Sequence, residues 1–363
     1  MRPADIALVT QSTGAFDRIA RWLSRGFNDL GARLDLVTID GPSGMEHDGT
    51  TRWIGLGHTR AVRSTGAIAS YFRSNRPTLA LSSPEFVSPY VLFAGRRAQV
   101  PVIPWEASFV NFGMSELAPR KRLLPTLQKR TYRNAPAVAA VSSDLLDHLG
   151  AFLGTSPPLE LVENPVDVDE IRSLGARKES KTAAVRLVAC GRISVHKGYD
   201  VLIEALAEAG DRLGDWELLV LGTGPGRRAL REQIVAVGLK DRVQIRGEVQ
   251  DPYPAIASAD LFVHPARREG FGLAIAEAMA LGVPVISTTC PGGPRRLLRG
   301  GGAGVLVPPD DAGALSAAIL DAIRSPTSLA PLVERAAMVV EEYSPKACAE
   351  RMLELADRYG RPS

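Results

Sequence analysis

Two acids and two bases in the second half of the chain could together hold a phosphorylated ligand. Glu269 precedes Gly270-Phe271-Gly272, and Glu277 follows eight positions after it within the apolar run Leu273 to Ala280. An ionised carboxylate among such neighbours is costly to bury unless donors satisfy it. Glycines at a strand-to-helix turn let the backbone approach a ligand closely, and the first N–H groups of the following helix point outward, which suits a phosphate. Upstream, Gly191-Arg192-Ile193-Ser194-Val195-His196-Lys197-Gly198 supplies two cations. A diphosphate leaving group gains negative charge as it departs, and an arginine fork, a lysine point charge and helix N–H groups can stabilise it. Taken alone, the acidic stretch also fits a buried helix whose carboxylate meets an arginine. The basic one also fits a surface turn with two solvated cations.

The elements that must position these residues are read from the rest of the chain. Its 363 residues exceed what one core usually organises, so two domains are expected. With 45% hydrophobic and 23% charged residues, the composition is that of an ordinary globular protein, and a net charge of +3 is too small to imply nucleic acid. Cys190, Cys290 and Cys348 lie far apart, which predicts neither a disulfide framework nor a zinc site. The start, MRPADIALVT, runs straight into a short apolar strand without a signal-peptide core, and no apolar run is long enough to span a bilayer. A cytoplasmic setting is therefore expected.

Short apolar runs alternate with longer amphipathic ones from Ile6 onward. Strands are expected at Ile6–Thr10, Leu34–Ile39, Leu79–Ser82, Val100–Pro104, Val138–Val141 and Leu159–Val162, with helices between them, including Ser115–Arg133. The alternation restarts with strands at Val185–Ala189, Glu217–Leu221, Val243–Arg246, Leu261–His264, Val283–Ser287 and Gly304–Val307. Buried, β-branched strands alternating with helices predict parallel doubly wound sheets. The expected fold is α/β, with two Rossmann-like domains facing across a cleft. The first spans residues 1–172, the polar run 173–182 links the two, and the second spans 183–344. Ligands of such sheets bind beyond the carboxyl ends of the strands.

EGFGLAIAEAMALGVPVIST (Glu269 to Thr288) resembles the E-x7-E region of the retaining, nucleotide-sugar-dependent glycosyltransferases of family 4, which have the GT-B fold. CGRISVHKGYDVLIEAL (Cys190 to Leu206), LGTGPGRRALREQIVAVGL (Leu221 to Leu239) and CPGGPRRLL (Cys290 to Leu298) fall in that family's order and spacing. The resemblance covers most of residues 160–325, whereas the N-terminal half matches weakly. It implies that Arg192 and Lys197 bind the diphosphate, that Glu277 accepts from both ribose hydroxyls, and that Glu269 contacts hydroxyls of the donor sugar. Gly191, Gly222, Gly224, Gly247, Val249, Gly270, Phe271, Gly272 and Leu273 would line the donor, with Gly14 facing the diphosphate from the first domain. The resemblance also implies that the last helix, within 345–363, packs back on the first domain, and that no metal or other cofactor is required.

Three departures bear on donor sugar and acceptor. Where many relatives carry a histidine near the sugar, this chain reads Val102-Ile103-Pro104-Trp105-Glu106-Ala107-Ser108, so Glu106 or Ser108 would fill that space; an acid paired with an arginine fits Glu106 equally. The first strand-to-helix loop, Gln11-Ser12-Thr13-Gly14-Ala15, has one glycine where relatives often have two, and Arg296 stands where they often carry glutamate. His196 and His264 lack metal-ligand spacing and are taken as site-edge or core histidines. Arg120, Lys121, Arg122, Lys129, Arg130 and Arg133, interleaved with leucines, fit either a solvated basic face or peripheral contact with the inner face of a membrane.

The expected activity is transfer of a hexose or N-acetylhexosamine from a UDP-sugar to an acceptor hydroxyl, lipid-linked or anionic, in glycan, cell-envelope or glycoconjugate biosynthesis. A GDP-mannose-dependent mannosyltransferase is the alternative within the class. Outside it stand an NAD-dependent oxidoreductase using Gly222-x-Gly224, poorly served by Lys240-Asp241-Arg242 where an acidic ribose ligand is due, and a non-catalytic nucleotide-sugar-binding protein.

Overall fold

The computed structural model describes residues 5–11, 14–41, 44–58, 61–109, 123–154 and 157–362. They form two compact units, Met1–Pro165 with Tyr343–Ser363, and Val166–Glu342. The polar run 173–182, expected to connect the halves, lies inside the second unit. It begins within the helix Val168–Gly175 and is then tied down by buried groups. The Arg186 guanidinium donates to the Ser180 carbonyl at 2.6 Å, and Glu217 accepts from the Thr182 N–H at 3.0 Å. Backbone bonds to the buried Arg186 and Glu217 thus hold this run within the second unit.

Among the described residues the first unit holds eight strands: β1 (Ile6–Thr10), β2 (Leu34–Thr38), β3 (Gly44–Asp48), β4 (Thr51–Gly55), β5 (Leu79–Ser82), β6 (Val102–Glu106), β7 (Val138–Ala140) and β8 (Leu159–Leu161). Their order is β3-β4-β2-β1-β5-β6-β7-β8, parallel except for β3, which runs antiparallel to β4. The hairpin β3–β4 escapes a hydrophobicity reading because β3, GMEHD, is an edge strand with little apolar content. β6 begins two residues later than expected, since Gln99 takes a left-handed conformation at the end of the preceding helix, and reaches Glu106. The helix Pro345–Tyr359 packs within this unit, so closely that a Cβ at Gly26 would stand 2.1 Å from the Pro345 carbonyl oxygen. Glu160 on β8 secures it, accepting at 2.6 Å from each of Arg351, Arg358 and Tyr359.

The second unit holds six parallel strands: β9 (Val185–Cys190), β10 (Trp216–Leu221), β11 (Val243–Gly247), β12 (Leu261–His264), β13 (Val285–Thr288) and β14 (Val305–Val307). The order β11-β10-β9-β12-β13-β14 reverses direction between β9 and β12. Leu187, Leu218, Val220, Val263 and Ile286 on these strands are fully buried on one face of the sheet, against the helices Tyr199–Ala209, Arg227–Ala236 and Ala312–Arg324. Each such side chain stabilises the fold by about 1.5–3 kcal/mol through apolar area removed from water. The reversal opens a crevice beyond the strand ends, which is where open α/β sheets bind ligands.

Candidate active site

The loops leaving β9 and β12 meet at this reversal. After Cys190 the chain turns through Gly191, makes a short 3-10 turn at Val195–Lys197, and enters the helix Tyr199–Ala209. Gly198 is left-handed (φ 64°), and a Cβ there would lie 1.9 Å from the Pro265 carbonyl oxygen, so only glycine lets the two loops touch. Arg267, in the loop after β12, clamps the turn. Its N–H donates to the His196 carbonyl at 2.8 Å, and its guanidinium donates to the Val195 carbonyl at 2.7 Å. The same guanidinium grips Asp200 with two bonds of 2.8 and 2.7 Å and also reaches Asp310. Burial would raise the Asp200 carboxyl, yet Arg267 holds it below its ordinary range.

Lys197 projects from this turn and donates through Nζ to Glu269 Oε2. His264, at the end of β12, places Nε2 at 2.8 Å from the same oxygen, while Glu269 Oε1 accepts from the Gly270 N–H at 3.0 Å. Behind His264, Nδ1 lies 3.1 Å from the Ser287 hydroxyl of β13. Burial would push the Glu269 carboxyl up, but the Lys197 charge and the His264 contact hold it well below the usual carboxylate range. Burial pushes His264 below its ordinary value more strongly than Glu269 raises it.

A second glycine pair supports the Glu269 loop from beneath. The Glu269 N–H donates to the Pro291 carbonyl at 3.1 Å, and the Gly293 N–H donates to the Gly270 carbonyl at 3.0 Å. A Cβ at Gly292 would stand 1.5 Å from the Glu269 carbonyl oxygen, and one at Gly293 1.8 Å from that of Phe271. Pro291 to Pro294 is thus a platform on which Glu269-Gly270-Phe271-Gly272 lies. Gly272 (φ 98°) then opens the helix Leu273–Ala280, whose first N–H groups have no partner within the helix. Phe271 is buried and Leu273 half-buried. Glu277, one turn below Leu273, is 1% exposed and accepts from the Tyr253 hydroxyl at 3.2 Å.

The loops after β9, β10 and β11 are joined through their backbones. Gly191 N–H donates to Leu221, Ile193 N–H to Thr223, and Gly222 N–H to Gly247, at 2.9, 2.9 and 2.7 Å. A Cβ at Gly222 would meet the Gly191 carbonyl oxygen at 2.0 Å, and one at Gly224 that of Ile193 at 2.2 Å. These glycines therefore allow one loop of the unit to cross another. Val249 follows in the half-buried loop after Gly247. Arg192 is exposed and, among the described residues, makes no hydrogen bond or ion pair.

The second unit thus brings Lys197, His264, Glu269 and Gly270 into one network, with Gly191 bonded to Leu221 and Tyr199 and Glu277 in the helix that follows. Residues of the first unit stand in their own setting. Gly14 is the first residue of the helix Gly14–Asp29. Glu106 ends β6, is fully buried, and accepts through Oε1 from Tyr132 and, at 3.5 Å, from Ser88. Its Oε2 has no hydrogen-bond partner among the described residues, so no arginine pairs with it. Burial and nearby Glu85 push its carboxyl up to about 8. Ser108 is exposed and donates to Glu85 at 3.1 Å.

Of the basic run, Arg120, Lys121 and Arg122 fall outside the described residues, as does most of the expected helix before Leu124–Tyr132. Arg133 donates to the Leu153 carbonyl at 3.0 and 3.2 Å, Lys129 lies over the Phe152 ring, and Arg130 is exposed. Sequence reasoning overlooked Arg267, Asp200, Tyr253 and Ser287, and it read His264 as an ordinary histidine. The signal available for His264 was its place at a strand end, five residues before Glu269. Among the described residues no group of three or more His, Cys, Asp or Glu could hold a metal ion, and no helix is long and apolar enough to cross a membrane.

Residues 184–325 match the family model of glycosyl transferases group 1. A 2-deoxystreptamine N-acetyl-D-glucosaminyltransferase of Niallia circulans is 36% identical over 123 residues, 33% of this chain and 31% of that protein. A GDP-mannose:cellobiosyl-diphosphopolyprenol alpha-mannosyltransferase of Komagataeibacter xylinus is 31% identical over 198 residues, 52% of this chain and 47% of that protein. The chain thus spans less than half the length of these two relatives. In three dimensions it is similar to Anabaena HepE solved in complex with UDP-glucose, with a TM-score of 0.78 at 18% identity over 97% of this chain and 99% of the other. That likeness gives the chain the GT-B fold. The matched segment 184–325 carries Arg192, Lys197, Glu269 and Glu277.

Proposed function

We propose that this protein is a retaining glycosyltransferase that moves a hexose or N-acetylhexosamine from a UDP-sugar to an acceptor hydroxyl in glycan, cell-envelope or glycoconjugate biosynthesis. The observation that carries the reading is the Lys197–Glu269 pair at the sheet's reversal, beside the open N-terminus of the helix Leu273–Ala280. A cation, a carboxylate and free N–H groups at one strand-end crevice are what a sugar diphosphate requires.

In this reading Arg192, exposed and unpaired among the described residues, and Lys197 take the diphosphate oxygens, with the first N–H groups after Gly272. Glu277, steadied on one oxygen by Tyr253, accepts from the ribose, and Glu269 accepts from sugar hydroxyls. Gly191, Gly222, Gly224, Gly247 and Val249 shape the nucleotide side. The bond from the anomeric carbon to the diphosphate oxygen breaks, and the acceptor oxygen bonds that carbon on the same face. The acceptor proton passes to the departing diphosphate oxygen. Charge stabilisation and positioning then suffice, and neither a metal nor a protein nucleophile takes part.

GDP-mannose is the second donor reading, favoured by the mannosyltransferase similar to residues of this chain. Thermal denaturation with UDP, GDP and NAD, each at about a hundred times its dissociation constant, should show about 2.7 kcal/mol for the cognate nucleotide. Slow hydrolysis of UDP-glucose, UDP-N-acetylglucosamine or GDP-mannose without acceptor then identifies the donor. Stabilisation by NAD alone overturns the reading, and nucleotide binding without any hydrolysis or transfer leaves a non-catalytic binder.

A further inference from the structure

Glu269 faces a difficulty if Lys197 turns toward a diphosphate. Its side chain is only 15% exposed, and a buried carboxylate stripped of its cation is strongly destabilised unless other donors remain. Two do remain, the Gly270 N–H at 3.0 Å on Oε1 and His264 Nε2 at 2.8 Å on Oε2. His264 is itself buried at 3% exposure, ends β12, and has Ser287 on the adjacent β13 at 3.1 Å from its other nitrogen.

We propose that His264, backed by Ser287, is a positioning residue that keeps Glu269 ionised and in place when Lys197 exchanges it for the diphosphate. The inference rests on the donor-binding reading above and adds a residue and a step to it. A carboxylate accepts only, so the ring presents Nε2–H to Glu269, while Nδ1 faces the Ser287 hydroxyl, which also lies 3.3 Å from the Thr288 carbonyl. Ser287 is fully buried and holds the ring's orientation from its far side. Both partners sit on paired central strands, with His264 beside Ser287 in register, so the brace is as rigid as the sheet. Lys197 lies on a separate loop and can leave without moving it.

The test uses whichever of UDP-glucose, UDP-N-acetylglucosamine and GDP-mannose the wild-type chain hydrolyses fastest, with binding of the matching nucleoside diphosphate as a second readout. His264→Phe removes the donor and should lower kcat by about tenfold or more, the scale of a hydrogen bond to a charged group. Binding of the sugar-free nucleoside diphosphate should stay within about twofold, because Glu269 meets the sugar rather than the nucleotide. His264→Gln, whose amide can donate from a similar position, should recover most of the loss. In a Glu269→Gln background His264→Phe should add little, since a residue acting through Glu269 has nothing left to act on. Equal loss in His264→Gln, additive loss in the double variant, or matched losses of turnover and nucleotide binding overturns the inference. If Glu269→Gln alone hydrolyses the donor at the wild-type rate, the role given to Glu269 falls instead.

Discussion

Glu269, half-buried in the loop after β12, and Glu106, fully buried at the end of β6, are pushed in opposite directions by their surroundings. Glu269 meets a lysine, a histidine and a backbone N–H, and these outweigh burial to hold its carboxyl well below the usual range. Glu106 meets only the hydroxyls of Tyr132 and Ser88, has Glu85 nearby, and is pushed up to about 8. At neutral pH one is a charged acceptor and the other a protonated acid. Position in the fold is therefore not enough to assign a role; the donors within reach decide it.

The largest expected effect breaks the charged side of this comparison. Lys197→Ala or Glu277→Ala should lower sugar transfer about 10²-fold or more, as loss of a transition-state donor does elsewhere. Wild-type turnover by both variants removes the assignments.

The next effect sharpens the contrast through pH. Glu106 has a raised folded-state value, so the folded chain holds a proton that the unfolded chain releases above about 4.3. Its contribution is present below that value and fades as pH rises toward about 8, by about 1.4 kcal/mol per pH unit for one proton. Denaturant melts of wild type and Glu106→Gln at pH 5 to 8 should converge or cross in that sense. Glu269, held low, works in the opposite direction, and its contribution is lost as pH falls through the acid range. A wild-type stability that rises relative to Glu106→Gln over pH 5 to 8 contradicts the environment described for Glu106.

Arg267→Ala comes third. Its guanidinium is 24% exposed, so the pairs with Asp200 and Asp310 are partly screened. The variant should lose about 1–2 kcal/mol in chemical denaturation and about tenfold in turnover, because the turn bearing Lys197 loosens. Turnover unchanged despite lost stability would detach Arg267 from the site.

The smallest effect concerns the basic helix of the first unit. Arg130→Ala should change stability by less than about 0.5 kcal/mol, as an exposed side chain. If this face meets a membrane, the same change weakens salt-sensitive flotation with anionic vesicles; absence of flotation by wild type leaves a solvated face.

Strand positions were legible with few errors, since alternating buried runs dictate a parallel doubly wound sheet whatever lies around them. β3 and β4 were not, because β3 is an edge strand of little apolar content and β4 is mostly half-buried. The polar run 173–182 lies inside the second unit, held there by backbone bonds to Arg186 and Glu217 that composition does not reveal. Lys197, Glu269 and the glycines announced themselves because their types and spacing are local. By itself the sequence determined the sheet class, the glycine turns and the presence of two cations and two acids near one strand-end region. Only the tertiary structure decided that His264, Ser287, Arg267 and Tyr253 brace them and that Glu106 keeps its proton. Those outcomes depend on side chains distant along the chain meeting within hydrogen-bond reach, and on which of them removes water from which.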